Sequence, residues 1–120
     1  MKSQIQDIAF VLYPVSDMAK ARAFYTDLLG LKETANWQDQ WVEYDLGNGT
    51  LAITVGMPGA QPGNGAFAAW EVKDFDAVAA FLKEKNIPWS MDPFDSPVCR
   101  GGAIKDVDGN QIMIHWRKAK

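Results

Sequence analysis

The sequence predicts an α+β fold built from two tandem βαβββ modules within a single domain. Three observations lead to this prediction: an internal repeat, a strand–cap–helix order that occurs twice, and a glycine- and proline-rich segment between the two copies. The chain has 120 residues, which is the length of one ordinary domain. We place the first module at about residues 1–56, the linker at 57–65 and the second module at about 66–120.

The internal repeat aligns Phe10 with Phe67 and Asp17 with Asp74 at the same offset. The other matched pairs at this offset are Tyr13 with Trp70, Val15 with Val72, Met18 with Phe75, Ala23 with Ala80 and Phe24 with Phe81. Two unrelated strand–helix units are the weaker interpretation, because the strand, cap and helix signals recur in the same order.

The first module begins with a predicted strand at 8–15, a run rich in β-branched and aromatic residues. Asp17 then occupies an N-cap position, where its carboxylate can accept the free amides of the next turn. We predict a helix from this cap to Gly30, which supplies a left-handed stop. Further strands are predicted at 32–37, 41–46 and 51–55, with a hairpin turn at 47–49.

The second module repeats this order from a predicted strand at 66–72 and a capping residue at Asp74. The predicted helix ends at Ile87, since Pro88 disfavours helical backbone in the residue before it. Strands are predicted at 89–91, 102–105 and 111–116. The segment 106–110 lacks the glutamate that would close a calcium loop, so we predict a hairpin turn.

Composition and charge exclude several function classes. The net charge of −3 argues against broad nucleic-acid binding, which needs a basic face. No apolar run approaches the ~18 residues that a membrane span needs, and the N-terminal residues lack a signal-peptide pattern. Cys99 is the single cysteine, which favours a reducing compartment. We therefore expect a cytoplasmic protein with neither nucleic-acid nor membrane partners.

Four stretches carry a family resemblance that spans nearly all of the chain: Val15-Ser16-Asp17, residues 23–31, Gly101-Gly102 and residues 106–110. In this order they resemble the vicinal oxygen chelate superfamily of glyoxalases, bleomycin-resistance proteins and ring-cleaving dioxygenases. The resemblance implies that the mixed sheets of the two modules curl around a shared cavity, with the helices on the outer face.

The resemblance also implies a divalent metal in that cavity, held by His or Glu at four positions. Counted from the capping aspartates and the last turn, these positions are Phe10, Thr54 (or Ile53 in the adjacent register), Phe67 and Met113. None has a typical ligand side chain, because such metals take imidazole or carboxylate. We therefore predict no metal ligands and no cofactor.

A displaced metal site that uses Glu71, His115 and Glu43 is the alternative. Its weakness is spacing: Glu71 lies four residues beyond Phe67, or roughly 13 Å at strand rise. First-shell ligands must converge within about 2.0–2.6 Å of one ion.

Strand alternation, with the facing that the resemblance implies, sorts the side chains onto two faces. Val11, Tyr13, Trp70, Val72, Ile112 and Ile114 are expected to pack beneath the helices. The predicted inner wall is apolar and aromatic, which suits a flat organic ligand. The predicted ligand-binding residues are Phe10, Leu12, Trp41, Thr54, Phe67, Glu71, Trp89, Arg100, Met113 and His115. Trp37, Trp41 and Trp89 are expected to lie outside the helix-packing residues, and Arg100 is a candidate for an anionic ligand group.

Two residues are candidates for acid–base chemistry. His115 is the only histidine, and histidine is the usual acid–base group near neutral pH. Glu71 on an apolar face would have a raised pKa and act as a base; the alternative is a partly exposed glutamate at a strand end. Cys99 has no paired histidine in the sequence, which makes a nucleophilic role weak.

Three functional hypotheses follow. The leading one is a metal-free protein of the bleomycin-resistance type that binds or sequesters an apolar or aromatic small molecule, as a homodimer. The second is a lyase, isomerase or dioxygenase relative that uses an offset metal or a Glu71/His115 acid–base pair. The third is a structural dimer without a ligand, in which Phe10 and Phe67 fill the cavity as core residues.

Overall fold

A computed structural model describes residues 2–4, 6, 8–57, 60–64 and 67–118. The chain divides into two compact units, Met1–Pro62 and Gly63–Lys120. Each unit contains a four-stranded sheet with one parallel pair, which confirms the predicted α+β class. Parts of the predicted linker (58, 59 and 65), the predicted strand start at 66 and the last two residues lie outside the described residues. No helix of the described ranges is long and apolar enough to cross a membrane.

The first unit follows the predicted element order with shorter strands. After a 3-10 turn at Lys2–Gln4, its elements are β1 (Val11–Pro14), α1 (Met18–Arg22), a π-helical segment (Ala23–Leu28), β2 (Glu33–Trp37), β3 (Trp41–Asp45) and β4 (Thr50–Thr54). The sheet order is β1-β4-β3-β2, and β1 pairs with β4 in parallel. The buried core includes Tyr13, Val15, Met18, Ala21, Tyr25, Val42, Tyr44, Leu51 and Ile53.

The helix of the first unit starts and stops where the sequence predicts. The Asp17 carboxylate accepts the backbone N–H of Lys20 at 3.1 Å, and Gly30 has a φ of 75°, the left-handed conformation that glycine adopts without strain. The π-helical segment was not predicted. Its wider turn is visible in the bond from Leu29 N to Phe24 O at 2.9 Å, and it accompanies the edge-to-face packing of Phe24 and Tyr25.

A polar cluster ties this helix to the sheet of the first unit. Arg22 donates Nε and Nη2 to the two carboxylate oxygens of Glu33, each at 2.9 Å. Thr26 also donates to Glu33 and lies 2.9 Å from the Tyr44 hydroxyl. The bond from Arg22 is the main cause that lowers the pKa of Glu33, whereas burial raises the pKa of Tyr44.

The second unit contains β5 (Ala68–Glu71), α2 (Phe75–Glu84), β6 (Met91–Asp95), β7 (Cys99–Lys105) and β8 (Gln111–Arg117). Its sheet order is β5-β8-β7-β6, with β5 and β8 parallel. The Asp74 carboxylate caps α2 by accepting the backbone N–H of Ala77 at 3.0 Å. The helix ends at Glu84, before the predicted Ile87 stop, because Asn86 adopts a φ of 58°.

The strand predicted at 89–91 is displaced in the structure to Met91–Asp95. Trp89 leaves the strand path because its ring stacks on Phe75 of α2, with centroids 5.9 Å apart and planes 7° from parallel. Pro93 lies inside β6, and a sheet tolerates proline at such an edge position. The ladder between β6 and β7 is correspondingly irregular between Met91 and Phe94.

The segment 106–110 forms the predicted hairpin turn between β7 and β8. The buried Asp106 carboxylate accepts the backbone N–H groups of Asp108 and Asn110, and the side-chain amide of Asn110. Asn110 in turn accepts the backbone N–H of Gly63 at 2.8 Å. Gly63 has a φ of 81°, and a Cβ there would collide with the carbonyl oxygen of Asp108. The Asp106 carboxylate therefore stabilises the turn through these hydrogen bonds.

Candidate functional site

The sheet face opposite α2 in the second unit carries a row of four laterally paired residues. Glu71 pairs with His115, His115 with Gly101, and Gly101 with Phe94. Because laterally paired residues point to the same side of a sheet, the row places a carboxylate, an imidazole, a position without a side chain and a phenyl ring on one face. We call Glu71, His115, Gly101 and Phe94 the polar–aromatic row.

Glu71 and His115 form a hydrogen-bonded pair within this row. His115 Nδ1 lies 2.6 Å from Glu71 Oε1, and the backbone N–H of Arg117 donates to Glu71 Oε2 at 2.6 Å. The bond to His115, and then that from Arg117, lower the pKa of Glu71. The expected raised pKa is therefore wrong: the Glu71 side chain is 45% exposed and has two donors that favour its charged form. The alternative of a partly exposed glutamate at a strand end describes it correctly.

The other end of the row is an aromatic surface on Gly101. A Cβ on Gly101 would lie 2.7 Å from two Phe94 ring carbons, so the ring occupies the space that any other residue would fill. Phe94 nevertheless remains 39% exposed. The adjacent row, formed by Ala69, Met113, Ala103 and Met91 in register, is apolar, and Met91 in it is 36% exposed. The result is a face on which a flat ligand can lie beside an imidazole.

The corresponding face of the first unit is also aromatic. Phe10 and Trp41 pack edge to face with their ring centroids 5.4 Å apart, and Phe10 is 40% exposed. Trp41 donates its indole N–H to Glu43 Oε2 at 2.9 Å. Trp37 pairs with Trp41 in the sheet register and is 55% exposed.

The remaining predicted residues take different positions. Leu12 is half-buried and in register with Ala52. Thr54 is buried, and its hydroxyl donates to Gln40 O at 2.9 Å. Phe67 directly precedes β5 and is 43% exposed. Met113 is half-buried in the row beside His115.

Two of the predicted residues lie on the helix side of their sheet. Trp89 stacks on Phe75 of α2, so the expectation that it lies outside the helix-packing residues is wrong. A Cβ on Gly102, which neighbours Gly101 and therefore faces the other side, would lie 2.8 Å from the Trp89 ring. Arg100 also lies on this side, where its guanidinium carbon is 4.6 Å from the Phe75 ring centroid and Nη2 is 3.1 Å from Asp76. Arg100 therefore already has an anionic partner.

The residues present do not fit the divalent metal that the family resemblance implies. The four positions hold Phe10, Thr54, Phe67 and Met113, and the Thr54 hydroxyl is already bonded to a backbone carbonyl. In the described ranges, no group of three or more His, Cys, Asp or Glu side chains converges as a metal site would require.

Phe94 and Gly101 belong to this candidate site but were not among the residues predicted from the sequence. Phe94 was missed because the second strand of the second module was predicted to end at residue 91, whereas the observed strand covers Met91–Asp95. The Gly101-Gly102 pair was the available signal: consecutive glycines inside a strand indicate that something approaches both faces closely.

Comparisons with known proteins agree with this architecture. The family model described as Glyoxalase/Bleomycin resistance protein/Dioxygenase superfamily matches residues 7–114. No curated protein matches the chain. Among solved structures, an antibiotic binding protein, TnmS3, from Streptomyces sp. CB03234 is 25% identical with a TM-score of 0.81, and the alignment covers 96% of this chain and 98% of that one.

Two further structures are similar over most of their length. A glyoxalase/bleomycin resistance protein from the same Streptomyces strain is 26% identical, with a TM-score of 0.75 and coverage of 90% of this chain and 98% of that one. A glyoxalase/dioxygenase from Nostoc punctiforme is 20% identical, with a TM-score of 0.79 and coverage of 99% and 96%; at that identity the likeness concerns the fold alone. Together with the family match over nearly the whole chain, these findings establish that the protein belongs to the glyoxalase/bleomycin resistance protein/dioxygenase superfamily.

Proposed function

We propose that this protein binds a planar, largely apolar small molecule without the help of a metal ion. The observation that carries the proposal is the sheet face opposite α2, where the exposed Phe94 ring and the apolar Met113 and Met91 side chains lie beside a single polar pair. A mostly apolar surface with a few placed polar groups is typical of small-molecule sites. The relation to TnmS3, described as an antibiotic binding protein, supports the same function class.

The aromatic residues supply the binding energy in this proposal. Burying the exposed part of a phenyl or indole ring beneath a flat ligand contributes about 25 cal/mol per Å², and offset stacking adds about 0.5–1.5 kcal/mol. Phe94 in the second unit, and Phe10 with Trp41 in the first, offer such surfaces. Either face alone would accept one planar ring system.

Tryptophan fluorescence and titration calorimetry with planar probes test the proposal. Suitable probes are 2-methoxynaphthalene, acridine and anthraquinone. We expect saturable binding of at least one probe to the protein, with quenching of the tryptophan emission. For a probe bound on one of these faces, replacing the aromatic residue of that face, Phe94 or Trp41, by Leu should weaken its binding at least threefold. The control Trp116→Phe alters a residue paired with Arg100 on the helix side of the second unit and should leave the affinity unchanged. Absence of saturable binding for these three probes and for 2-naphthol would contradict the proposal.

The Glu71–His115 contact favours a second candidate function, acid–base catalysis on a bound organic substrate. A carboxylate 2.6 Å from an imidazole nitrogen is the arrangement that orients a histidine as a base. On any substrate found, Glu71→Gln and His115→Ala should each lower kcat. Full activity in both variants would eliminate this candidate.

We further propose that the chain forms a homodimer and works in the cytoplasm. The exposed apolar side chains Trp37, Val98 and Val107 support the first part, because interface cores in homodimers are more apolar than the rest of the surface and are enriched in aromatic residues. Sedimentation analysis at micromolar concentration tests the association state, and a purely monomeric profile would contradict it. Localisation of a tagged protein tests the compartment.

A further inference from the structure

We propose that the polar–aromatic row selects planar ligands that carry an acidic hydroxyl, such as a phenol or enol, with His115 Nε2 accepting the hydroxyl hydrogen and Phe94 stacking beneath the ring. This inference rests on the proposed function and names the ligand class of that same face. Its starting point is the direction of the hydrogen bond between Glu71 and His115.

The first step is the tautomer of His115. Both Glu71 oxygens are engaged as acceptors, one with the backbone N–H of Arg117 and one with His115 Nδ1 at 2.6 Å. An ionised carboxylate has no hydrogen to donate, and these two donors favour its ionised form. The proton of a neutral His115 therefore resides on Nδ1, and Nε2 carries a lone pair. In histidine generally, the bond made by one ring nitrogen fixes the role of the other.

The second step is the surroundings of that lone pair. His115 is part-buried, with 24% of its side chain exposed, and the space over its lateral neighbour Gly101 holds the Phe94 ring in place of a Gly101 side chain. Next along the row, the Phe94 ring lies on Gly101 and is 39% exposed. A ring stacked on Phe94 would thus carry its edge substituent toward the imidazole across the glycine.

The third step is the chemistry that this arrangement recognises. A neutral imidazole with Nδ1–H committed to a carboxylate is an acceptor at Nε2, so it pairs with donors and leaves ethers, ketones and carboxylates without a partner. An acidic hydroxyl is the strongest neutral donor that a flat aromatic skeleton carries. A ligand that covers this lone pair without donating to it leaves an unpaired acceptor, which is costly, so the row discriminates against the same skeleton without the hydroxyl.

The test compares 2-naphthol with 2-methoxynaphthalene, which share a ring system and differ in the donor. We expect the wild-type protein to bind 2-naphthol about tenfold more tightly, the value of one good hydrogen bond. In His115→Phe, which keeps a flat ring and removes the acceptor, the two affinities should become equal. Phe94→Leu should weaken both ligands by the same factor and keep the preference.

Nuclear magnetic resonance reports the tautomer of His115 directly, and a purely structural role of His115 would not change that tautomer's response to the ligand. His115 is the only histidine, so the two ring ¹⁵N signals belong to it and have only to be distinguished from each other, which their couplings to the ring hydrogens allow. At about pH 8.5, where imidazole is normally neutral, we expect the proton on Nδ1 and an upfield shift of Nε2 with 2-naphthol but not with 2-methoxynaphthalene. Glu71→Gln should weaken the Nδ1–H preference, which defines Glu71 as a positioning residue. Asp76→Asn, which removes the same charge on the helix side, is the matched control and should leave both signals unchanged.

The outcomes separate this inference from the proposed function. A proton on Nε2 in the free protein, or equal affinities for the two naphthalenes, overturns the inference and leaves small-molecule binding in place. If acridine or anthraquinone binds but neither naphthalene does, the inference is likewise overturned and small-molecule binding is retained. Failure of every probe to bind overturns the inference together with the proposed function.

Discussion

Addition of one methyl group to Gly102 is the sharpest test of the packing described above. A Cβ at this position would lie 2.8 and 2.9 Å from two Trp89 ring carbons and 3.3 Å from the Met91 carbonyl oxygen. The Trp89 ring cannot move away freely, because it stacks on Phe75, which is only 3% exposed. Gly102→Ala is therefore an overpacking substitution within the helix side of the second unit.

The expected magnitude follows from two opposing effects. Overpacking of this kind costs about 1–3 kcal/mol, whereas replacing glycine by alanine stabilises by about 0.4–1 kcal/mol through the unfolded chain. The clash is the larger of the two, so we expect a net loss of about 1–2 kcal/mol. For a chain of this size that corresponds to a Tm lower by about 4–8 °C.

Urea unfolding followed by circular dichroism measures this loss directly. Gly49→Ala is the matched control, because a Cβ on Gly49 meets nothing within 4 Å and its φ is not left-handed; it should leave the stability unchanged or slightly higher. A double-mutant cycle with Trp89→Leu identifies the cause. If Gly102→Ala costs the same with and without the Trp89 ring, the ring contact is not the reason for the glycine.

Three further predictions concern ionisable groups. Glu33→Gln should lower the free energy of unfolding by about 1–2 kcal/mol, because charge-assisted hydrogen bonds are lost. The folded-state pKa of Glu33 is lowered, so its contribution to stability is present above the unfolded-state pKa and declines as pH falls. The Tm values of wild type and variant should therefore converge between about pH 5 and pH 3. The pKa of Tyr44 is raised by burial, so its contribution is present below about pH 10 and is lost as pH rises further; Tyr44→Phe should flatten this alkaline decline in a Tm series. Asp106→Ala removes the acceptor of three hydrogen bonds in the turn and should cost about 2–3 kcal/mol in urea unfolding, while Asp106→Asn recovers part of it.

The helices and turns were predictable because their signals are local. Asp17 and Asp74 cap their helices with almost the same backbone angles, φ −140° and −144°. Each cap depends only on the carboxylate and the backbone N–H three residues later, so the sequence is sufficient to predict it. Gly30 and the turn at 106–110 are equally local. The pairing of β1 with β4, and of β5 with β8, agrees with the fold that the family resemblance implies.

The misplaced strand shows what local signals leave out. Trp89 has strong strand propensity, but its ring is bound to Phe75 of α2, and the strand begins only at Met91. Pro93, which disfavours strands, is tolerated because β6 is at the sheet edge. Tertiary contact overrides propensity at both positions.

The candidate site was partly visible in the sequence. Alternation along β5 and β8 was sufficient to put Glu71 and His115 on one face, and the register makes them neighbours. The direction of the Glu71 pKa could not be predicted, because it depends on the His115 ring and on a backbone N–H of Arg117. Arg100 was assigned to a ligand because its partner Asp76 lies on a different element.

The bond between Gly63 and Asn110 has a consequence for how the two repeats can be separated. The amide of Gly63 is hydrogen-bonded to the last hairpin of the second unit, although the first strand of that unit begins only at Ala68. The structural boundary of the repeat therefore precedes its first strand. An excised second repeat that starts at Ala68 would lose a donor to Asn110, whereas one that starts before Gly63 retains it. An engineered circular permutation is for the same reason better opened before Gly63 than at the strand.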